Sequence, residues 1–131
     1  MNKLEGIIKN ILVQDELSLI EVQVNNDLFT AILINSKEDN LLINQKVSLV
    51  FKETEVSLAK NLIGSISIRN RIKVKILSIT KGKLLSKILL SYNDTKLISI
   101  ITTKATNELE LKINDEIEAL IKTNEITIMK I

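Results

Sequence analysis

The sequence contains two versions of one unit. Residues 43–52, INQKVSLVFK, recur as residues 113–122, INDEIEALIK, at an offset of 70 (113 − 43). Upstream, Asn2-Lys3-Leu4 matches Asn70-Arg71-Ile72 at an offset of 68 (70 − 2), so repeat 2 carries a two-residue insertion, which we place near residues 103–111. Self-similarity at a fixed period is a stronger fold signal than local propensity. We therefore expect two small units, at residues 1–62 and 65–131.

Composition excludes several kinds of site. The chain has no cysteine and no histidine, which removes disulfides, thiolate metal sites, and the commonest general base and zinc ligand. Its three glycines, Gly6, Gly64 and Gly82, are too scattered for a phosphate-binding loop. Phe29, Phe51 and Tyr92 are the only aromatic residues and the net charge is +2, which argues against a nucleic-acid binder. We expect no enzyme, no direct metal ligands and no nucleic-acid partner.

The chain also gives expectations about location and assembly. No apolar run approaches the roughly 20 residues that a membrane span needs, and the N-terminus lacks the pattern of a signal peptide. We therefore expect a soluble, cytoplasmic protein with no membrane partner. Because a unit of about 60 residues buries only about 60% of its unfolded surface, the two units should share a core or gain stability by oligomerising.

Runs of Ile, Val, Leu and Thr predict five strands in each repeat. They fall at about 3–13, 17–24, 28–34, 45–51 and 55–59, and at 69–80, 84–91, 95–101, 116–122 and 125–130. Residues 25–27 and 92–94 are predicted tight turns, because Asn and Asp tolerate left-handed backbone. A threonine cap predicts a short helix over 102–109, with 36–39 as its counterpart. The predicted fold is all-β: two tandem OB-like five-stranded small barrels, each with one short helix.

The densest group of hydrogen-bond donors is the segment Ser67-Ile68-Arg69-Asn70, at the start of repeat 2. A hydroxyl, a guanidinium and a carboxamide lie within four residues there, and successive backbone N–H groups at such a place can cradle an anion. A polar linker is the competing interpretation. Lys122 and its counterpart Lys52 end apolar stretches, where each lysine is equally well explained as a strand-end residue that extends into water.

This segment resembles the Ser-Ala-Arg-Asn start of the molybdate-binding Mop domain (molbindin, of the TOBE class). Later landmarks agree: Lys81-Gly82 follows the first strand of the repeat, Ile101-Thr102 precedes the helix, and residues 119–122 stand where the family has Ala-Leu-Ile-Lys. The resemblance covers repeat 2 strongly. It covers repeat 1 weakly, mainly through residues 2–11 and 43–60.

The resemblance implies a protein that binds molybdate, or the nearly isosteric tungstate, for storage, homeostasis or delivery. It also implies a homo-oligomer with sites shared between subunits, for which a trimer is favoured and a dimer is the alternative. By position it gives oxyanion-binding roles to one set of residues: Ser67, Ile68, Arg69, Asn70, Thr102, Lys122 and Thr123. Lys52 is the candidate for a second site.

Repeat 1 departs from the family pattern. Met1-Asn2-Lys3 stands where the family has its Ser-Ala-Arg-Asn start, Ile34 holds the position of Thr102, and Lys52 is followed by Glu53, whose charge opposes a dianion. We expect repeat 1 to be a weak or absent site that lends Lys52 and its edges to assembly. Repeat 2 departs less, with bulkier Ile68 for alanine, Ala105 for a serine, and Leu85 and Lys87 for asparagine and glutamate.

The ligand's chemistry fits the donor set in repeat 2. Molybdate is a tetrahedral dianion without an acidic proton at neutral pH, so a good site offers donors only, and charge-assisted hydrogen bonds are about twice as strong as neutral ones. Burying the ion without enough hydrogen-bond donors would cost a prohibitive amount of free energy.

The alternative function is a regulatory or scaffolding β module that has lost its oxyanion site and acts through protein contacts.

Overall fold

A computed structural model describes residues 1–34 and 40–131, and the secondary structure in those ranges follows the predicted pattern. The strands are β1 (Asn2–Gln14), β2 (Leu17–Val24), β3 (Asp27–Ile34), β4 (Lys46–Phe51), β5 (Ser57–Ala59), β6 (Asn70–Lys81), β7 (Leu85–Tyr92), β8 (Thr95–Thr102), β9 (Glu116–Ile121) and β10 (Thr127–Lys130). The predicted strands are thereby confirmed. No helix in the described ranges is both long and apolar enough to cross a membrane.

Two 3-10 turns shorten the strands that were predicted to begin at residues 55 and 125. The Lys52 turn (Glu53–Glu55) and the Lys122 turn (Thr123–Glu125) each follow a lysine with extended backbone. In both turns the third residue donates its N–H to the carbonyl of that lysine at 3.0 Å. Strand propensity does not predict these turns, because the same polar residues at the start of a strand are compatible with an extended or a turned backbone.

The predicted helix in repeat 2 is confirmed as α1 (Thr103–Glu108). Thr102 is its N-cap and accepts a hydrogen bond from the N–H of Ala105 at 3.0 Å, as the threonine pattern indicates. The counterpart predicted at 36–39 lies outside the described residues.

The repeat is visible in the backbone as well as in the sequence. Asn25 and Asn93, 68 residues apart (93 − 25), both have positive φ in two-residue hairpin loops, as predicted for those turns. Asn44 and Asn114, 70 residues apart (114 − 44), also have positive φ. The change of offset therefore falls between these two pairs of turns, in agreement with an insertion near 103–111.

Each repeat contributes its fifth strand to the sheet of the other repeat. The two antiparallel sheets have the orders β10-β4-β1-β2-β3 and β5-β9-β6-β7-β8. Ser57 of β5 pairs with Leu120 of β9, and Thr127 of β10 pairs with Val50 of β4. The predicted fold class is confirmed as two OB-like five-stranded units. The exchange was not predicted, because a repeat shows which segments are alike but not which copies pair, and the boundary at 62–65 stays a prediction.

Both sheets bury their apolar faces in one continuous core. Alternate residues of β1 and β6 point inward, as expected for strands with one buried face. The core runs from Leu4 in repeat 1 to Ile126 in repeat 2. Phe29 and Tyr92 meet edge to face across the repeats, with ring centroids 6.4 Å apart. The two small units are thus stabilised by a shared core.

Tyr92 is buried and holds its hydroxyl 2.6 Å from the Asp27 carboxylate. Burial, followed by the hydrogen bond to Asp27, raises the pKa of Tyr92 above its usual range. The folded state therefore favours the neutral hydroxyl. This contribution to stability is fully present below about pH 10, the usual pKa of an unfolded tyrosine, and is lost as the pH rises above it.

We therefore expect Tyr92 to resist ionisation beyond about pH 10 until the chain unfolds. Because Tyr92 is the only tyrosine and the chain has no tryptophan, absorbance near 295 nm during an alkaline titration reports this one group. The Tyr92→Phe variant should lose stability less steeply than the parent above that pH. A simple titration near pH 10 in the folded protein, seen without any loss of circular dichroism, would contradict the assignment.

Candidate functional site

The start of β6 and the end of β9 lie side by side. Asn70 pairs with Ile121 in the antiparallel register. The residues just before Asn70 and just after Ile121 therefore extend from the same end of this strand pair. Five of the predicted site residues belong to those two extensions: Ser67, Ile68, Arg69, Lys122 and Thr123.

This end of the sheet carries two positive charges without ion-pair partners. Ser67, Arg69 and Lys122 are exposed, whereas Ile68 and Thr123 are half-buried. The guanidinium of Arg69 donates to the carbonyls of Ser67, at 3.3 Å, and of Ile66. No acidic side chain in the described ranges forms an ion pair with Arg69 or Lys122. The two cations are therefore available to an anion from solution.

The next arginine along β6 is not available in this way. Arg71 makes a two-pronged contact with Glu118 on β9, from Nε at 2.9 Å and Nη2 at 2.8 Å. The hydrogen bond from Arg71 lowers the pKa of the Glu118 carboxyl, so this pair stays ionised at neutral pH. Its charges cancel locally, and the uncompensated positive charge at this end comes from Arg69 and Lys122.

Asn70 is committed to joining the two repeats. It is buried, its carboxamide oxygen accepts from the N–H of Thr30 at 2.7 Å, and its nitrogen donates to the carbonyl of Thr30 at 2.9 Å. Asn2, its counterpart in repeat 1, makes the same two contacts with Ile98, both at 2.8 Å. The carboxamide of Asn70 thus fixes the start of β6 against β3.

We call the cluster formed by Ser67, Arg69, Lys122 and Thr123 the Lys122 group. Within one chain, Thr102 lies away from this group. It ends β8 opposite Leu85, and β8 packs against the Lys52 turn, whereas the Lys122 turn packs against β3. Ile34 ends β3 and is 71% exposed. Because the fifth strands are exchanged, each lysine turn meets the third strand of the other repeat. The repeat pattern alone could not predict that each lysine turn contacts the other repeat.

Hydroxyl groups near Thr102 are largely used by the fold. The Thr102 hydroxyl accepts from Ala105 as the helix cap, which leaves its own O–H to donate. Thr106 is buried and donates its hydroxyl to the Thr102 carbonyl at 3.1 Å. Thr106 therefore does not replace the serine whose position Ala105 holds.

Repeat 1 offers a different electrostatic setting around its lysine. Lys52 is exposed, and the carboxylate of Glu53 lies 3.2 Å from the amino group of Met1. A cleft of about 150 Å³ beside Lys52 is lined by Glu55 and Glu125. Two carboxylates therefore line the cleft beside Lys52, and one of them, Glu125, belongs to the Lys122 turn.

The arrangement in repeat 2 is suited to holding an anion. Its side chains offer hydroxyl, guanidinium and ammonium donors, and the described ranges contain no group of three or more acidic residues that could hold a metal cation. The charge-assisted hydrogen bonds that such side chains can donate to an anion are about twice as strong as neutral ones.

The chain is similar to a known domain family and to solved structures. The model of the TOBE domain matches residues 66–128, a range that includes every predicted site residue of repeat 2. The structure of a molybdate-binding protein from Sporomusa ovata is 33% identical, covering 51% of this chain and 100% of that protein, with a TM-score of 0.50. The chain belongs to the molbindin (Mop) class of the TOBE family.

A two-domain relative shares the fold of the whole chain. The cytoplasmic molybdate-binding protein ModG, in a form with molybdate bound, is 20% identical and matches with a TM-score of 0.94 over 99% of this chain and 96% of its own. The fold of the whole chain, with both units, is therefore one that a solved structure shares. No curated protein matches the sequence.

Proposed function

We propose that this chain is a non-catalytic, cytoplasmic protein that binds molybdate or tungstate, for storage, homeostasis or delivery. The observation that carries the proposal is the donor group Ser67, Arg69, Lys122 and Thr123, which stands in the half matched by the TOBE domain. Arg69 and Lys122 have no acidic partner in the described part of the chain. The Sporomusa ovata relative, a molybdate-binding protein, supports the choice of ligand.

The donor group suits a dianion with four acceptor oxygens. Lys122 and Arg69 supply charge, and the hydroxyls of Ser67 and Thr123 supply neutral donors. Hydrogen bonds to charged groups contribute about 1.5–3 kcal/mol each, net of the exchange with water, so two charged contacts can supply a substantial part of the binding free energy. No step of bond making or breaking is required of these residues.

We further propose that the working form is a homo-oligomer, with a trimer favoured over a dimer. Thr102 is separated from the Lys122 group within one chain, because β8 packs against the Lys52 turn. A neighbouring copy can supply Thr102 to the Lys122 group, which makes the site shared. Binding at a shared site favours the oligomer by mass action. Nucleic acid and membranes are not partners in this proposal, in keeping with the net charge of +2.

Calorimetry tests the proposal. Molybdate, tungstate and sulfate are titrated into the full chain, and the first two are expected to release heat and saturate, whereas sulfate gives no saturable signal. Light scattering on the same samples measures assembly with and without molybdate. Absence of heat with all three anions would overturn the proposed function.

One observation favours the alternative of a β module that acts through protein contacts. Repeat 1 exposes several large apolar side chains at one end, including Leu12 at 55%, Val13 at 59% and Leu17 at 49%. They line a groove of about 550 Å³, and apolar patches of this kind often mark protein contacts. Under this alternative the chain assembles in light scattering but takes up no molybdate in calorimetry.

A further inference from the structure

We propose that Glu53 is an internal anion: its carboxylate occupies the repeat 1 counterpart of the oxyanion site and keeps external oxyanions out. The inference rests on the proposed function, because it assigns the residue that decides which repeat can bind. It explains how two units of one fold, each with a lysine before a 3-10 turn, come to differ in ligand uptake.

The backbones around the two lysines are equivalent. Lys52 has φ −74° and ψ 149°, and Lys122 has φ −68° and ψ 149°. Both lysine carbonyls accept a 3.0 Å hydrogen bond from the third residue of the turn. The first residue of the turn is Glu53 in repeat 1 and Thr123 in repeat 2, at the usual offset of 70 (123 − 53). The side chain of this first residue therefore differs between two turns whose backbones match.

The Glu53 carboxylate is turned toward positive charge. Both of its oxygens lie 3.2 Å from the amino group of Met1, and Met1 holds the repeat position of Arg69 (69 − 1 = 68). The carboxylate thus faces the cation that directly precedes β1, as Arg69 directly precedes β6.

A second cation, Lys87, acts on Glu53 and has no equivalent in the other repeat. A hydrogen bond from its own backbone N–H, then the contact with the Met1 amino group, lowers the pKa of Glu53, and the charge of Lys87 adds to the effect. Lys87 lies across from Ile100 of β8, the strand that packs against the Lys52 turn. Leu19 holds its repeat position (87 − 19 = 68). The charges of the Met1 amino group and of Lys87 therefore both act on the Glu53 carboxylate.

An incoming dianion would meet this ionised carboxylate. Like charges a few ångströms apart disfavour each other strongly. Without Glu53, Lys52 and Lys87 lie beside β8, the strand that ends in Thr102. Two cations with a hydroxyl are the kind of donor set proposed for repeat 2.

The test compares molybdate uptake by the full chain and its variants. Glu53→Thr installs the residue that repeat 2 has at this position, and Glu53→Gln removes the charge with little change of shape. Both variants are expected to take up one further molybdate per chain in equilibrium dialysis with metal analysis. The matched control is Glu55→Gln, which removes a charge from the same turn and should leave the stoichiometry of the parent. Adding Lys87→Ala to Glu53→Thr should abolish the gain.

The outcomes separate this inference from the proposed function. If the parent chain binds molybdate and neither Glu53 variant binds more, the inference is overturned and the proposed function stands. If the parent binds none and the Glu53 variants bind, the proposed function fails for the parent and the inference stands. If nothing binds in any variant, or if Glu55→Gln gains as much as Glu53→Thr, Glu53 is not the excluding residue. Circular dichroism of each variant checks that it is folded.

Discussion

Replacing Asn70 by alanine is expected to lower the free energy of unfolding by about 2–5 kcal/mol. The buried carboxamide satisfies both the N–H and the carbonyl of Thr30, and each buried polar group left without a partner costs about 1–3 kcal/mol. Asn2→Ala should cost a similar amount, because Asn2 makes the same pair of contacts with Ile98. Urea denaturation followed by circular dichroism measures both losses.

The two asparagines form a matched pair that separates stability from ligand binding. Asn70 directly follows Arg69 and fixes the start of β6, so Asn70→Ala should also weaken molybdate binding, whereas Asn2→Ala should leave it close to that of the parent. Asn26→Ala, an exposed position in a hairpin loop, should change stability by no more than about 0.5 kcal/mol. A loss below about 1 kcal/mol in both buried variants would mean that these contacts do not hold the repeats together.

Replacing Arg69 or Lys122 by alanine is expected to weaken molybdate binding by about 10- to 100-fold. Each removes a charged donor worth about 1.5–3 kcal/mol, and every 1.4 kcal/mol is tenfold in affinity. Lys52→Ala should have a much smaller effect, because repeat 1 lacks the Ser-Ala-Arg-Asn start and places the acidic Glu53 directly after this lysine. Calorimetric titration of each variant measures the change.

A distant lysine controls for the general effect of charge. Lys96 lies at the far end of β8 from Thr102, where it pairs with Ser91, and Lys96→Ala should leave the affinity within about twofold, because exposed charges more than a Debye length apart are largely screened. If Arg69→Ala and Lys122→Ala both retain the affinity of the parent, molybdate binds elsewhere. An equal loss in Lys52→Ala would show that repeat 1 binds as well.

The sequence predicted the strands well because each is a run of β-branched and apolar residues ended by Asn, Asp or Lys. It could not predict the exchange of β5 and β10, since both short strands fit either sheet equally well by their pattern. The exchange decides which third strand each lysine turn meets. The resemblance gave Thr102 and Lys122 roles at sites shared between subunits, and within one chain β8 packs against the Lys52 turn.

The proposed site was predicted in part. The nearness of Arg69 and Lys122 follows from antiparallel pairing of β6 with β9, but the commitment of Asn70 to Thr30 does not follow from residue type. A carboxamide can serve a ligand or a backbone equally well. One signal was present: Asn2 repeats Asn70 in a copy that lacks the serine and arginine of the motif. An asparagine kept without the rest of an anion motif indicates a structural role.

The most direct test of the central claim is anomalous diffraction from crystals grown with molybdate. The molybdenum signal locates the ion without assumptions about its ligands. We expect an anomalous peak within hydrogen-bonding reach of Arg69 and Lys122, between neighbouring copies of the chain, with Thr102 of a second copy beside it. A peak remote from both residues, or none in crystals soaked to saturation, would contradict the account.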